Sequence, residues 1–121
     1  MSDSIALAAV QPAALNLEAD AGGRRTLLSG PPQSAGMRAG VVHLAPGGAV
    51  GRHSTGGREE VIIVLEGRGE VRVAGAAPVV VGTGTGAYVP PRREHDVVNV
   101  GTGPLRYVYV VAPVGAAEGG R

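Results

Sequence analysis

From Arg24 to Ala112 the chain alternates short apolar runs with Gly- and Pro-containing reversals, and this punctuation constrains the fold more than any other feature. The runs are Arg24–Ser29, Met37–Leu44, Glu60–Leu65, Glu70–Val73, Val79–Val81, Ala87–Val89, Val97–Val100 and Leu105–Ala112. Each has the length of a strand and none that of a stable helix. Between them stand Gly30-Pro31-Pro32, Pro46-Gly47-Gly48, Gly67-Arg68-Gly69, Gly75–Pro78, Gly82–Gly86, Pro90-Pro91 and Gly101–Pro104, which supply the positive or fixed φ that chain reversal needs. The sequence has no Phe and no Trp, so its core must come from Val, Ile, Leu and Ala. Branched aliphatics of this kind pack well on a pleated surface. About eight strands at this spacing predict an all-β fold, a closed barrel or a jelly roll.

With 121 residues the chain fits one domain and one core. Residues 1–23 are Ala-rich and interrupted by Pro12, and they read as an N-terminal arm that is either loose or laid against a neighbouring subunit. Residues 24–113 are expected to form the barrel, and 114–121 a mobile Gly-rich tail. The net charge of +1 comes from interspersed arginines and carboxylates with almost no aromatic surface, which argues against nucleic acid as a partner. No run is long enough to span a bilayer, and Met1–Val10 lacks the basic start of a signal peptide. With no cysteine there are neither disulfides nor thiolate ligands, so a reducing cytoplasm is the expected location and any metal must sit on nitrogen and oxygen. Gly82-Thr83-Gly84-Thr85-Gly86 lacks the Gly-Lys-Ser/Thr ending of a phosphate loop and reads as a hairpin turn.

The chemistry-bearing residues sit where turns meet strands. His53 precedes Ser54-Thr55-Gly56-Gly57, and the next strand opens with Arg58-Glu59-Glu60 before Val61–Leu65. A hairpin here is expected to bring His53 beside the carboxylate at the start of the following strand. Strand alternation sends Glu59 and Glu60 to opposite faces, so only one points inward, and a buried carboxylate needs a cation or good hydrogen bonds. In Arg92–Asn99 the same alternation puts His95, Val97 and Asn99 on one face. Two imidazoles and one carboxylate suit non-haem Fe(II), and equally zinc with an open position for water.

The spacings Gly47-x5-His53-x-Thr55-x4-Glu60-x6-Gly67 and Gly84-x5-Pro90-x-Arg92-x2-His95-x3-Asn99 resemble the two motifs of the cupin family, in the right order and covering about half the chain. The resemblance implies a double-stranded β-helix, a jelly-roll barrel commonly found as a homodimer, with one divalent metal (Fe, Mn, Ni, Co or Zn) on His53, Glu60 and His95. Thr55 stands where the family usually has its second histidine, and Arg92 replaces a glycine of the second motif. A hydroxyl is a poor ligand for a divalent ion. Either water completes a 2-His-1-carboxylate centre, or the site has passed to metal-free use. His43 could lean inward as a replacement ligand, although a lone strand histidine is more often structural.

A pocket lined by Thr55, Ile62, Val64 and Val97 is expected to take a small, partly apolar substrate, with Arg38 as a candidate for an acidic group and Glu60 as the evident catalytic carboxylate. Tyr107 and Tyr109 share a face and read as packing residues, and Asn99 reads as a strand tie near the metal. Two classes of function remain open. One is a metalloenzyme of dioxygenase, isomerase, decarboxylase or lyase type; the other is a ligand-binding or regulatory module without catalysis.

Overall fold

The computed structural model of the protein describes residues 10–115. Residues 1–9 of the expected arm and 116–121 of the expected tail lie outside the described residues. Eight strands follow in chain order: β1 (Arg24–Ser29), β2 (Arg38–Leu44), β3 (Arg58–Glu66), β4 (Arg68–Val73), β5 (Val79–Gly82), β6 (Gly86–Val89), β7 (His95–Asn99) and β8 (Leu105–Pro113). All eight apolar runs are strands. The structure begins β3, β4 and β7 two residues earlier than the runs do, because the ladder continues through Arg58-Glu59, Arg68-Gly69 and His95-Asp96, where polar side chains and a glycine conceal it in the sequence.

Two antiparallel sheets face each other. One has the order β1-β2-β8-β3-β6 and the other β5-β4-β7. This two-layer arrangement of crossing connections is the double-stranded β-helix. The period of two is visible in β3, where Glu60, Ile62 and Val64 are buried while Val61 and Ile63 face out. β4 and β7 bury Val71, Val73, His95, Val97 and Asn99 in the same way. Val42, Ile62, Val64, Val71, Val81, Val89, Val97 and Leu105 fill the space between the sheets. Each such side chain contributes about 1.5–3 kcal/mol on burial, so many modest increments replace the few large ones that Phe and Trp would give. Gly67, at φ 95°, turns β3 into β4 where a Cβ would collide with the Pro104 carbonyl.

The long connection between β2 and β3 decides where the site forms. It does not fold into a hairpin against β3, as the sequence predicts. Residues 49–53 cross to the other sheet and lie along the free edge of β7, with bridges Ala49–Val98 and His53–His95. The bond from Val50 N to Val97 O (3.0 Å) holds the middle of this segment. With Pro46, Gly47, Gly48 and Gly51, the connection is too long and too broken for a tight hairpin, and the unpaired edge of β7 accepts it instead.

The described part of the arm, residues 10–23, contains no strand, but its end is built. Asp20 Oδ1 accepts the amides of Gly22 (2.8 Å) and Arg24 (3.2 Å), and Gly23 O accepts His43 N (2.8 Å). This turn fixes where β1 begins. No helix of the described residues is long and apolar enough to cross a membrane.

Candidate metal centre

His53 and His95 face each other as an antiparallel hydrogen-bonded pair: His53 N donates to His95 O at 3.0 Å, and His95 N to His53 O at 2.8 Å. Residues directly opposite in a ladder share a face, so both imidazoles project the same way, with ring centroids 4.3 Å apart. Glu60 comes from the facing sheet, turned inward by the alternation of β3, while Glu59 turns out and accepts the Tyr88 hydroxyl at 2.8 Å. Glu60 and His95 are buried, and His53 is exposed at the rim.

Local backbone geometry sets the tautomers. His53 Nδ1 lies 2.8 Å from Gly51 O and His95 Nδ1 lies 3.2 Å from Arg93 O. A carbonyl can only accept, so each Nδ1 carries the proton and each Nε2 is left for the centre. Both rings are held by the carbonyl two residues upstream, the same device used twice. His95 Nε2 meets Glu60 Oε1 at 2.9 Å. Hydrogen bonding to Glu60 raises the His95 pKa above its ordinary value, against the opposing pull of burial. In this contact His95 Nε2 is the donor and Glu60 Oε1 the acceptor, which favours the imidazolium form of His95.

Bonds of about 2.0–2.2 Å from an ion to imidazole nitrogen and carboxylate oxygen put neighbouring donors of one ion about 3 Å apart. Glu60 Oε1 and His95 Nε2 have that separation, and donor atoms of all three residues lie within 4.8 Å of one another. The nitrogen and oxygen donors suit a divalent ion, and His53, Glu60 and His95 form a group placed to hold one.

Thr55 lies on the cavity wall beside this group, but its hydroxyl proton goes to Arg58 O at 2.9 Å. Arg58 N returns a bond to Thr55 O at 3.3 Å, so Thr55 closes the turn that launches β3 and Glu60. His43 is exposed on the outer face of β2 and does not join the donors, because Val42, its neighbour, takes the inward position. Asn99 does not tie the strand near the donors. It ends β7, four residues from His95, and binds Leu44 O and Gly103 O.

The cavity has a volume of about 410 Å³, at the small end of the range for ligand pockets. Of the residues expected along it, Thr55, Glu60 and Val97 line it. Ile62 and Val64 point inward but lie in the closed core below, packed between the sheets. Arg38 is exposed and lines an adjoining depression that shares Thr55, Tyr109 and Val111 with the cavity. The other side of the wall is Arg24, Val42, Tyr107 and Tyr109, residues that the sequence presents as strand start, core and packing. Gly40 is what admits Tyr109. A Cβ on Gly40 would stand 2.6 Å from Cζ and 2.7 Å from Cε2 of the ring, which lies over this cross-strand partner. An inward Gly opposite an inward Tyr is the signal that could have placed the ring on the wall.

The cupin domain profile matches residues 40–111, well over half of the chain, and with the fold and the donor group in place the chain belongs to the cupin family. It is similar to a predicted oxalate decarboxylase from Thermotoga maritima, with 25% identity, TM-score 0.68, and coverage of 75% of this chain and 79% of that one. A protein from Thermus thermophilus has 28% identity and TM-score 0.65 over 79% of this chain and 89% of its own. A cupin protein from Bacteroides fragilis has 21% identity and TM-score 0.68 over 91% and 89%, a likeness of fold. No curated protein matches the chain significantly.

Proposed function

We propose that the protein is a metal-dependent cupin enzyme that holds one divalent ion on His53, Glu60 and His95 and acts on a small, partly apolar molecule in the adjoining cavity, with dioxygenase, isomerase or lyase chemistry as the classes open to it. The observation that carries this reading is the double tie of Nδ1 to backbone carbonyls, which leaves the Nε2 of both rings for the space beside one buried carboxylate. An ion bound there supplies Lewis-acid or redox chemistry at positions the protein leaves free. The chain's own contribution is orientation and proton handling. Glu60 Oε1 and His95 Nε2 are joined by a hydrogen bond, which an ion held on both residues would replace. Glu60 is the one carboxylate on the cavity wall, the group there able to take a proton from a bound molecule. Val42, Val50 and Val97 give the wall its apolar stretch.

Elemental analysis of protein purified without added metal tests this. Near-stoichiometric Fe, Mn, Ni, Co or Zn is expected in the wild type, with His95→Ala and Glu60→Gln each reducing it to background. A wild type that neither carries metal nor takes it up on titration rejects the metalloenzyme. A second reading, a metal-free ligand-binding cupin, is favoured by the same 2.9 Å contact, since His95 already gives the buried Glu60 a cation. The rejecting result would leave it standing, and binding of a small ligand by the metal-free chain would then be its test.

We further place the protein in the cytoplasm as a homodimer. A cysteine-free chain needs no oxidising compartment. The outer face of the five-stranded sheet exposes Val61, Ile63 and Tyr88 on adjacent strands, with Val108 and Val110 beside them, an apolar surface fit for a second copy. Light scattering after size exclusion should give twice the chain mass, and Ile63→Glu should return the monomer.

A further inference from the structure

Arg24 is a guanidinium on the cavity wall without a carboxylate partner. Among the described residues the ion pairs are Arg52–Glu94, Arg72–Glu70, Arg106–Glu66 and His95–Glu60, and Arg24 is in none of them. Its nearest acidic neighbour in sequence, Asp20, spends one carboxylate oxygen on the amides of Gly22 and Arg24. Those bonds and the backbone bond from Asp20 N to Arg24 O (2.9 Å) fix the start of β1 in place.

Register then aims the side chain. Arg24 pairs with Val42, and Val42 pairs with Tyr107, so all three share the inner face of the sheet. Tyr107 is 3% exposed and lines the cavity, yet its hydroxyl has no hydrogen-bond partner among the described residues. Burial, with the charge of Glu60, pushes its pKa far above the ordinary tyrosine value while Arg24 pulls the other way, so it remains a neutral donor. An exposed guanidinium with no carboxylate partner and a buried hydroxyl with no hydrogen-bond partner among the described residues thus line one slot, together with His53, Glu60 and Val111, the ladder partner of Glu60.

We propose that the slot takes a small aliphatic dicarboxylate lengthwise, one carboxylate held by Arg24 and the Tyr107 hydroxyl and the other at His53, Glu60 and His95. This rests on the metal-centre reading for its second half only. Charge-assisted bonds from a guanidinium to a carboxylate carry enough affinity to be read directly.

Calorimetric titration of the metal-loaded full chain with glutarate, succinate and oxalate is the test, with metal content measured on the same samples. Arg24→Gln should weaken glutarate and succinate by about tenfold or more. Tyr107→Phe should weaken them by severalfold, Arg24→Lys less than Arg24→Gln, and oxalate, short enough to chelate at the ion alone, should be little changed by any of the three. Glutaramide, the uncharged diamide, should not compete. Full metal content with glutarate affinity unchanged in Arg24→Gln overturns this inference and leaves the metal centre standing. A metal-free wild type that still binds glutarate through Arg24 keeps the anion seat and removes the metal centre. No binding of any of the three acids overturns the inference.

Discussion

The two ends of the barrel treat buried polar groups in opposite ways. At the closed end Asn99 is 2% exposed, donates from Nδ2 to Leu44 O (3.0 Å) and Gly103 O (2.9 Å), and accepts Gly101 N at Oδ1 (2.9 Å). Both amide protons and the amide oxygen are used, and together they stitch the β7–β8 turn to the end of β2. At the cavity the buried Tyr107 hydroxyl has no such partner among the described residues, the exposed Arg24 guanidinium on the same wall has no carboxylate, and His53 at the rim keeps its Nε2 while its Nδ1 is tied to Gly51 O. A buried polar group with its full complement of partners is structure. Where several are left incomplete around one space, the missing partner comes from outside.

The largest effect that could break this contrast is at Asn99. Asn99→Ala removes three bonds and leaves two carbonyls and an amide unpaired, a loss of about 3 kcal/mol or more, so the melting temperature should fall by more than about 10 °C. Metal content should hold as long as the chain is folded. Arg24→Gln should do the reverse, changing ligand affinity with stability within about 0.5 kcal/mol. Equal losses of stability in the two variants would erase the distinction between the ends.

A smaller effect concerns pH. In metal-stripped protein the His95 pKa is raised by Glu60, above the unfolded value of about 6.5. A raised folded pKa means that stability from the pair is complete below about pH 6.5 and is lost as pH rises through the folded value. Melting in the presence of a chelator should therefore decline from mildly acid to alkaline pH, and Glu60→Gln should flatten the slope. Metal-loaded protein should show the opposite trend, because the ion displaces the proton. A chelated wild type with no such slope would mean that the pair holds no proton.

The smallest effect is at Arg92, which sits at φ 61°, the only described residue other than glycine with positive φ. The turn keeps the left-handed conformation that a glycine would adopt freely, anchored by Arg92 N to Gly56 O at 2.7 Å. Arg92→Gly should relieve strain and stabilise by about 0.5–1 kcal/mol, a rise of a few degrees, without altering the donor group. Unchanged or lower stability would show that the arginine side chain offsets its own strain.

Much of the architecture was legible because turns and a period of two are local properties. Glu60 inward and Glu59 outward follow from alternation alone, as does the shared face of His95, Val97 and Asn99. Alternation says which side of a sheet a residue faces but not at what height in the barrel. For that reason Ile62 and Val64, inward like Glu60, were expected in the cavity and lie beneath it, while Asn99 was placed near the donors and lies at the far end. Arg24 is not legible as a wall residue because its direction depends on the register of β1 against β2 and of β2 against β8, which are pairings between distant segments. His53 does lie beside Glu60, but it gets there by pairing with His95 and not through a hairpin, and nothing local tells a connection which free edge it will join.

That connection has a consequence for how the protein reaches its working form. His53 and His95 are 42 positions apart, and Glu60 arrives from the opposite layer, so the donors converge only after both layers have come together around the crossing segment. No fragment or half-formed intermediate can assemble the three. An ion held on all three would in that sense register completion, acting as a clasp between layers that the Glu60–His95 contact already joins at this point.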